Sequence, residues 1–153
     1  MNNHILIDFL KGVGPDKNGR TLQDILNFSD EKLESVHNYI QWLFPIREMS
    51  DQVLGSPFLD SENDIKVLKE DLVVQENLTK ALVRMEDFYR DNDFWLRPND
   101  HNHLRITRII KSISLLNSKD NSKEFYKFIL NRVNNFRPVT EESLDYWKKA
   151  VHS

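Results

Sequence analysis

The chain has 153 residues, 39% of them hydrophobic and 10% aromatic, so it can build one domain with a packed core, and disorder over most of its length is excluded. Charged residues make up 29% and almost cancel, leaving a formal charge of -3, which gives no support for bulk electrostatic attraction to nucleic acid or an anionic membrane. The lack of cysteine removes disulfides, thiolate zinc sites and a cysteine nucleophile.

Asp8 interrupts the opening apolar run before it reaches signal-peptide length, and no basic segment precedes it, so no leader is expected. No stretch approaches the roughly 20 apolar residues of a membrane span, and the expected location is cytoplasmic. Apolar residues recur at helical spacing almost throughout, without the strict alternation of a half-buried strand. Ile5, Leu6, Phe9 and Leu10 predict a short first helix, ended by Gly12-Val13-Gly14-Pro15. Thr21 is the expected N-cap of a helix over residues 22–28. Ser29 or Asp30 is the expected cap of one running to about Phe44, with Leu33, Val36, Ile40, Leu43 and Phe44 on its buried face and Pro45 ending it. Residues 45–60 read as an irregular connection that packs through Leu54, Phe58 and Leu59. Ser61 caps a helix through Glu70, and a longer one follows with Val74, Leu78, Ala81, Leu82, Met85, Phe88 and Tyr89 on one face. Residues 92–100 form a loop, His101 or Asn102 opens a helix to about Asn117, and Ser122 opens another to about Asn135, with Pro138 breaking it. Thr140 starts a last helix through Leu144, Trp147 and Ala150. The expected fold is all-α, a single compact multi-helix bundle of about six to eight helices spanning residues 1–153 as one domain.

On a helical wheel His101, Arg105, Arg108 and Ser112 share one polar stripe, with Ile106, Ile109, Ile110, Ile113 and Leu116 opposite. Leu104 and Leu115 beside the stripe imply a helix enclosed on more than one side. Two arginines there need partners, either a ligand's carboxylate or phosphate or the chain's own acids, and both readings stay open. His101 and His103 form an H-x-H pair to which His37 could add a third imidazole, but residues two apart on a helix diverge and no acid stands at ligand spacing. No metal and no cofactor is therefore expected. The loop from Gly12 to Thr21 lacks the Gly-Lys-Ser/Thr ending of a phosphate loop. Setting Gly19 as a calcium loop's glycine would put Ile25 where the bidentate glutamate belongs, so a structured turn is expected there. Tyr39, Trp42 and Phe44 with Phe94 and Trp95 read either as core or as an aromatic pocket. No catalytic signature of a hydrolase elbow, zinc protease or kinase occurs, and no acid pair of a glycosidase stands out.

Two strings carry more than spacing does: His37-Asn38-Tyr39-Ile40-Gln41-Trp42-Leu43-Phe44-Pro45 and His101-Asn102-His103-Leu104-Arg105-Ile106-Thr107-Arg108-Ile109-Ile110-Lys111-Ser112. With Phe9-Leu10-Lys11-Gly12, Gly14-Pro15-Asp16, Gly19-Arg20-Thr21-Leu22, Met85-Glu86-Asp87-Phe88-Tyr89 and Ser143-Leu144-Asp145-Tyr146-Trp147, they resemble the conserved region of the opioid growth factor receptor family in the same order over nearly the whole chain. The chain looks like the stand-alone microbial form of that family, without the long tail that follows the region in the eukaryotic receptors. The resemblance implies a receptor that binds the pentapeptide Met-enkephalin, restrains proliferation and associates with the nuclear region. It directs attention to Tyr39, Gln41, Trp42, His101, Asn102, His103, Arg105, Thr107 and Arg108 as candidate ligand-binding residues.

The expected function is that of a binding domain, in preference to an enzyme, for a peptide or a small anionic ligand, with Arg105 and Arg108 receiving a carboxylate and Trp42 with neighbouring aromatics receiving an apolar group. An enzyme of unrecognised type, with His101 or His103 as acid or base on a phosphorylated or carboxylated small molecule, is one alternative. A nucleic-acid or protein adaptor, needing Arg20, Arg105, Arg108 and Lys111 on one exposed face, is the other.

Overall fold

Helical spacing and local capping resolve into nine α-helices among the residues described by a computed structural model, 3–136 and 139–153, and no strand occurs among them. They are α1 (His4–Leu10), α2 (Leu22–Leu26), α3 (Asp30–Ser35), α4 (Ile40–Leu43), α5 (Glu62–Glu70), α6 (Leu72–Asp91), α7 (His101–Leu116), α8 (Lys119–Phe136) and α9 (Glu141–Val151). The chain separates into two compact units, Met1–Leu82 and Val83–Ser153, divided within α6. The helix break expected at Pro138 lies outside the described residues. Among the described residues no helix is long and apolar enough to cross a membrane.

The expected hydroxyl caps hold. Thr21 and Asp24 form a reciprocal capping box at α2, and the Ser29, Ser61 and Thr140 hydroxyls accept from the backbone N–H of Lys32, Asp64 and Ser143. Each satisfies an amide that the first helical turn leaves without a partner.

In the first unit the single helix expected from Ser29 to Phe44 is instead two. α3 stops at Ser35, Val36 is extended at φ -91°, ψ 127°, and α4 starts only at Ile40. Two groups hold the break. The Tyr39 hydroxyl donates to the Leu33 carbonyl at 2.7 Å, and the Arg20 guanidinium donates to the Asn38 side-chain and backbone oxygens at 2.9 and 3.2 Å. Arg20 is itself anchored by Asp16, whose Oδ2 accepts from Nε at 2.8 Å while Oδ1 accepts the Asn18 and Arg20 backbone N–H groups. The loop from Gly12 to Thr21 is thus the structured turn expected, with Gly19 at φ +79°, where a side chain would be strained. Leu54 does not pack as expected: it is 94% exposed, beside Gly55 at positive φ, whereas Leu59 is buried.

In the second unit α7 packs against both α8 and α9, and α8 against α9. α7 is thus enclosed on two sides as anticipated, but not at the residues that suggested it: Leu104 is 57% exposed and Leu115 is half-buried. Ile106, Ile109, Ile110, Ile113, Phe125, Ile129 and Trp147 are fully buried. α8 starts at Lys119 and not at Ser122, because the Ser118 hydroxyl takes the Asn121 N–H. Ser122 instead donates to the Ile110 carbonyl from inside the helix.

Candidate functional site

The end of α6 and the loop that follows it set the floor of the site. The Tyr89 and Asn92 carbonyls, left over as the helix ends, each receive two donors: the Trp95 indole N–H at 3.3 and 2.8 Å, and the Arg132 guanidinium at 3.1 and 3.0 Å. Trp95 is thereby fully buried, stacked edge-on against Tyr89. The loop then delivers Asp100, the N-cap of α7. Asp100 Oδ1 accepts the Asn102 backbone N–H at 2.9 Å and its side-chain amide at 2.8 Å, and Oδ2 accepts Arg97 Nε at 2.8 Å. Burial pushes the Asp100 carboxyl up, but the two Asn102 hydrogen bonds and the nearby His101 and Arg97 outweigh it and hold the group below the usual carboxylate range. Asn102, fully buried, uses its remaining oxygen to accept the Tyr89 hydroxyl at 3.2 Å.

His103, in the first turn of α7, is 5% exposed and engages both ring nitrogens. Nε2 lies 2.8 Å from the Trp95 carbonyl and Nδ1 lies 3.0 Å from Ser143 Oγ. A carbonyl can only accept, so Nε2 carries the proton, and in the neutral ring Nδ1 presents its lone pair to the serine hydroxyl. Burial lowers the His103 pKa below the ordinary imidazole value and favours that neutral ring. The backbone carbonyl of the same residue accepts the Trp147 indole N–H at 3.0 Å and the Thr107 hydroxyl at 3.1 Å. One residue of α7 therefore ties together the 92–100 loop and α9.

Over this junction opens a cleft of about 490 Å³ between the first turns of α7 and α9. His101, His103 and Thr107 line it from α7, and Ser143, Glu142 and Tyr146 from α9. Leu104 and Tyr146, 57% and 51% exposed, also line it and give it an apolar rim. Arg97 supplies a guanidinium at the cleft that is 60% exposed.

The candidate residues separate accordingly. His101, His103 and Thr107 line the cleft, and Asn102 supports it from below. Arg105, 5% exposed, and Arg108, half-buried, are not among its lining side chains, and neither is without a partner. Tyr39, Gln41 and Trp42 belong to the first unit and are buried: Trp42 packs edge-on against Phe9, Tyr39 against Phe28, and Gln41 Oε1 has no partner among the described residues. Reading the sequence helix by helix missed Arg97, Thr140, Glu142, Ser143 and Tyr146. The usable signal was the string Ser143-Leu144-Asp145-Tyr146-Trp147, which stands out as much as the α7 string does.

Comparison with known proteins places the sequence. The family described as the opioid growth factor receptor (OGFr) conserved region matches residues 15–94 and 91–153. The chain is 32% identical to the opioid growth factor receptor of Rattus norvegicus over 158 residues, 88% of this chain and 27% of that protein. It is 32% identical to the receptor of Homo sapiens, over 88% of this chain and 23% of that protein. It is 29% identical to opioid growth factor receptor-like protein 1 of Mus musculus, over 94% of this chain and 36% of that protein. The chain thus spans between 23% and 36% of the length of these relatives. No solved structure matches it. With nearly its whole length matched, the chain belongs to the opioid growth factor receptor conserved-region family.

Proposed function

We infer that the chain is a binding module, acting in the cytoplasm, for a peptide or a small anionic ligand, and that the cleft between α7 and α9 receives it. The carrying observation is the cleft itself, which draws three of the candidate residues, His101, His103 and Thr107, to one place. Its volume of about 490 Å³ is within the range of roughly 300–1,000 Å³ typical of ligand pockets. The half-exposed Arg97 guanidinium is suited to a carboxylate, such as a peptide's C-terminus, and the Leu104 and Tyr146 rim to an apolar side chain. Relatives that carry the word receptor in their names give the reading its second support.

A thermal-shift screen of short peptides and small carboxylates tests it on the full chain, alongside Leu104→Ser and Tyr146→Ser. Both side chains are more than half exposed, so the variants should fold as the parent does. A ligand at about 100 times its Kd stabilises by roughly 2.7 kcal/mol. The expected result is a hit that raises the parent's melting temperature and leaves both variants unmoved. A hit that shifts the rim variants as much as the parent places the ligand elsewhere, and a screen without hits removes the proposal.

A further inference from the structure

The hydrogen bonds at the floor of the cleft form a directed chain. Thr140 Oγ1 lies 3.3 Å from Ser143 Oγ, Ser143 Oγ lies 3.0 Å from His103 Nδ1, and His103 Nε2–H is held by the Trp95 carbonyl at 2.8 Å. That is the arrangement an activated serine requires: a hydroxyl on the lone pair of an imidazole whose other nitrogen is oriented by a fixed acceptor. The acceptor is immobile, since Trp95 is fully buried with its indole bonded to the end of α6. His103 and Ser143 both line the open cleft, so a substrate carbonyl can reach them. A structural cap does not need this dyad, because Thr140 already satisfies the Ser143 backbone N–H.

We propose that Ser143 and His103 are a nucleophile and base pair, acting on an activated acyl group such as a carboxylic ester bound in the cleft. Ser143 Oγ forms a bond to the acyl carbon while its proton passes to His103 Nδ1. As the C–O bond to the leaving alkoxide breaks, Nδ1 returns that proton to it. Water then adds to the acyl-serine, giving its proton to Nδ1, and the bond from Oγ to carbon breaks as Oγ takes the proton back. Hydrolysis balances with no oxidant or metal. Thr140 is a positioning residue that holds the Ser143 hydroxyl. Burial favours the neutral ring, which leaves the Nδ1 lone pair available to the Ser143 proton. The acids and bases around it are Asp100, Arg97 and His101, with Glu142 across the cleft on α9. This inference goes beyond the binding proposal and does not depend on it, because the dyad can be probed without any peptide.

The test is labelling of the full chain by a fluorophosphonate, which traps an activated serine, read by mass spectrometry of the intact protein and its peptides. The expected result is a single adduct, on Ser143, absent in Ser143→Ala. Labelling should be at least about tenfold slower in Thr140→Val, and it should fall only as pH drops below the ordinary imidazole range. No adduct on the native chain, or adducts spread over exposed serines with Ser143→Ala labelled as heavily, would overturn the proposal. Since the native chain alone supplies the deciding result, misfolding of a variant cannot obscure it.

Discussion

The 37–45 string of the first unit and the 101–112 string of the second read alike in the sequence, both long, aromatic or basic, and histidine-bearing, yet the fold uses them differently. In the first, the aromatics point inward: Tyr39 and Phe44 are fully buried and Trp42 is 4% exposed. Their polar atoms serve to bend the backbone, as the Tyr39 hydroxyl does at Leu33. In the second, buried polar groups are tied to main-chain carbonyls and to one another so that a cleft can open above them. A distinctive string can therefore mark either a constraint on packing or a constraint on a site, and burial with its hydrogen-bond partners separates the two.

The largest effect that can break this contrast is at Trp42. Trp42→Ala should cost about 3–5 kcal/mol in urea unfolding, because it empties a volume packed against Phe9. A cost below about 1 kcal/mol would mean that the side chain is not held in a core.

A medium effect belongs to His103. Its folded pKa is depressed, so the neutral ring favours the fold. The stability it contributes is fully present above the ordinary imidazole value and is lost as pH falls from there toward the folded value. Unfolding free energy measured between about pH 7 and pH 5 should therefore drop, and the drop should shrink in His103→Gln. An unchanged slope in that variant would detach His103 from the junction. Asp100 acts in a lower window: its depressed carboxyl adds stability above the ordinary carboxylate value that is lost as pH falls through the folded one.

Gln41 gives the smallest change and a sharp one. Its buried Oε1 lacks a partner among the described residues, so Gln41→Leu should be neutral or stabilising by up to about 1 kcal/mol. Destabilisation together with weaker ligand binding would turn Gln41 from packing into site.

What could be read from the sequence was whatever is decided within one helical turn. Thr21, Ser29, Ser61 and Thr140 cap as expected because a hydroxyl bonds an amide three residues on. The break between α3 and α4 was not legible, since one of the two groups that hold it, Arg20, lies eighteen residues from Asn38. The cleft was half legible for the same reason. The α7 side stands in one string, but Ser143 meets His103 across forty residues, a pairing that only the packing of α9 on α7 creates. Arg105 was legible as a charge on an enclosed helix that needs a partner, and it is 5% exposed, but a helical wheel does not say on which side of that helix a cleft opens.

The most direct measurement takes Trp42→Phe and Tyr146→Ser side by side and records, on the same samples, unfolding free energy and affinity for the best peptide or carboxylate from the screen. The account predicts that Trp42→Phe loses stability and keeps its affinity, while Tyr146→Ser stays within about 0.5 kcal/mol of the parent and loses at least about tenfold in affinity. The reverse pattern, with binding lost at Trp42 and untouched at Tyr146, would contradict it and move the site to the first unit.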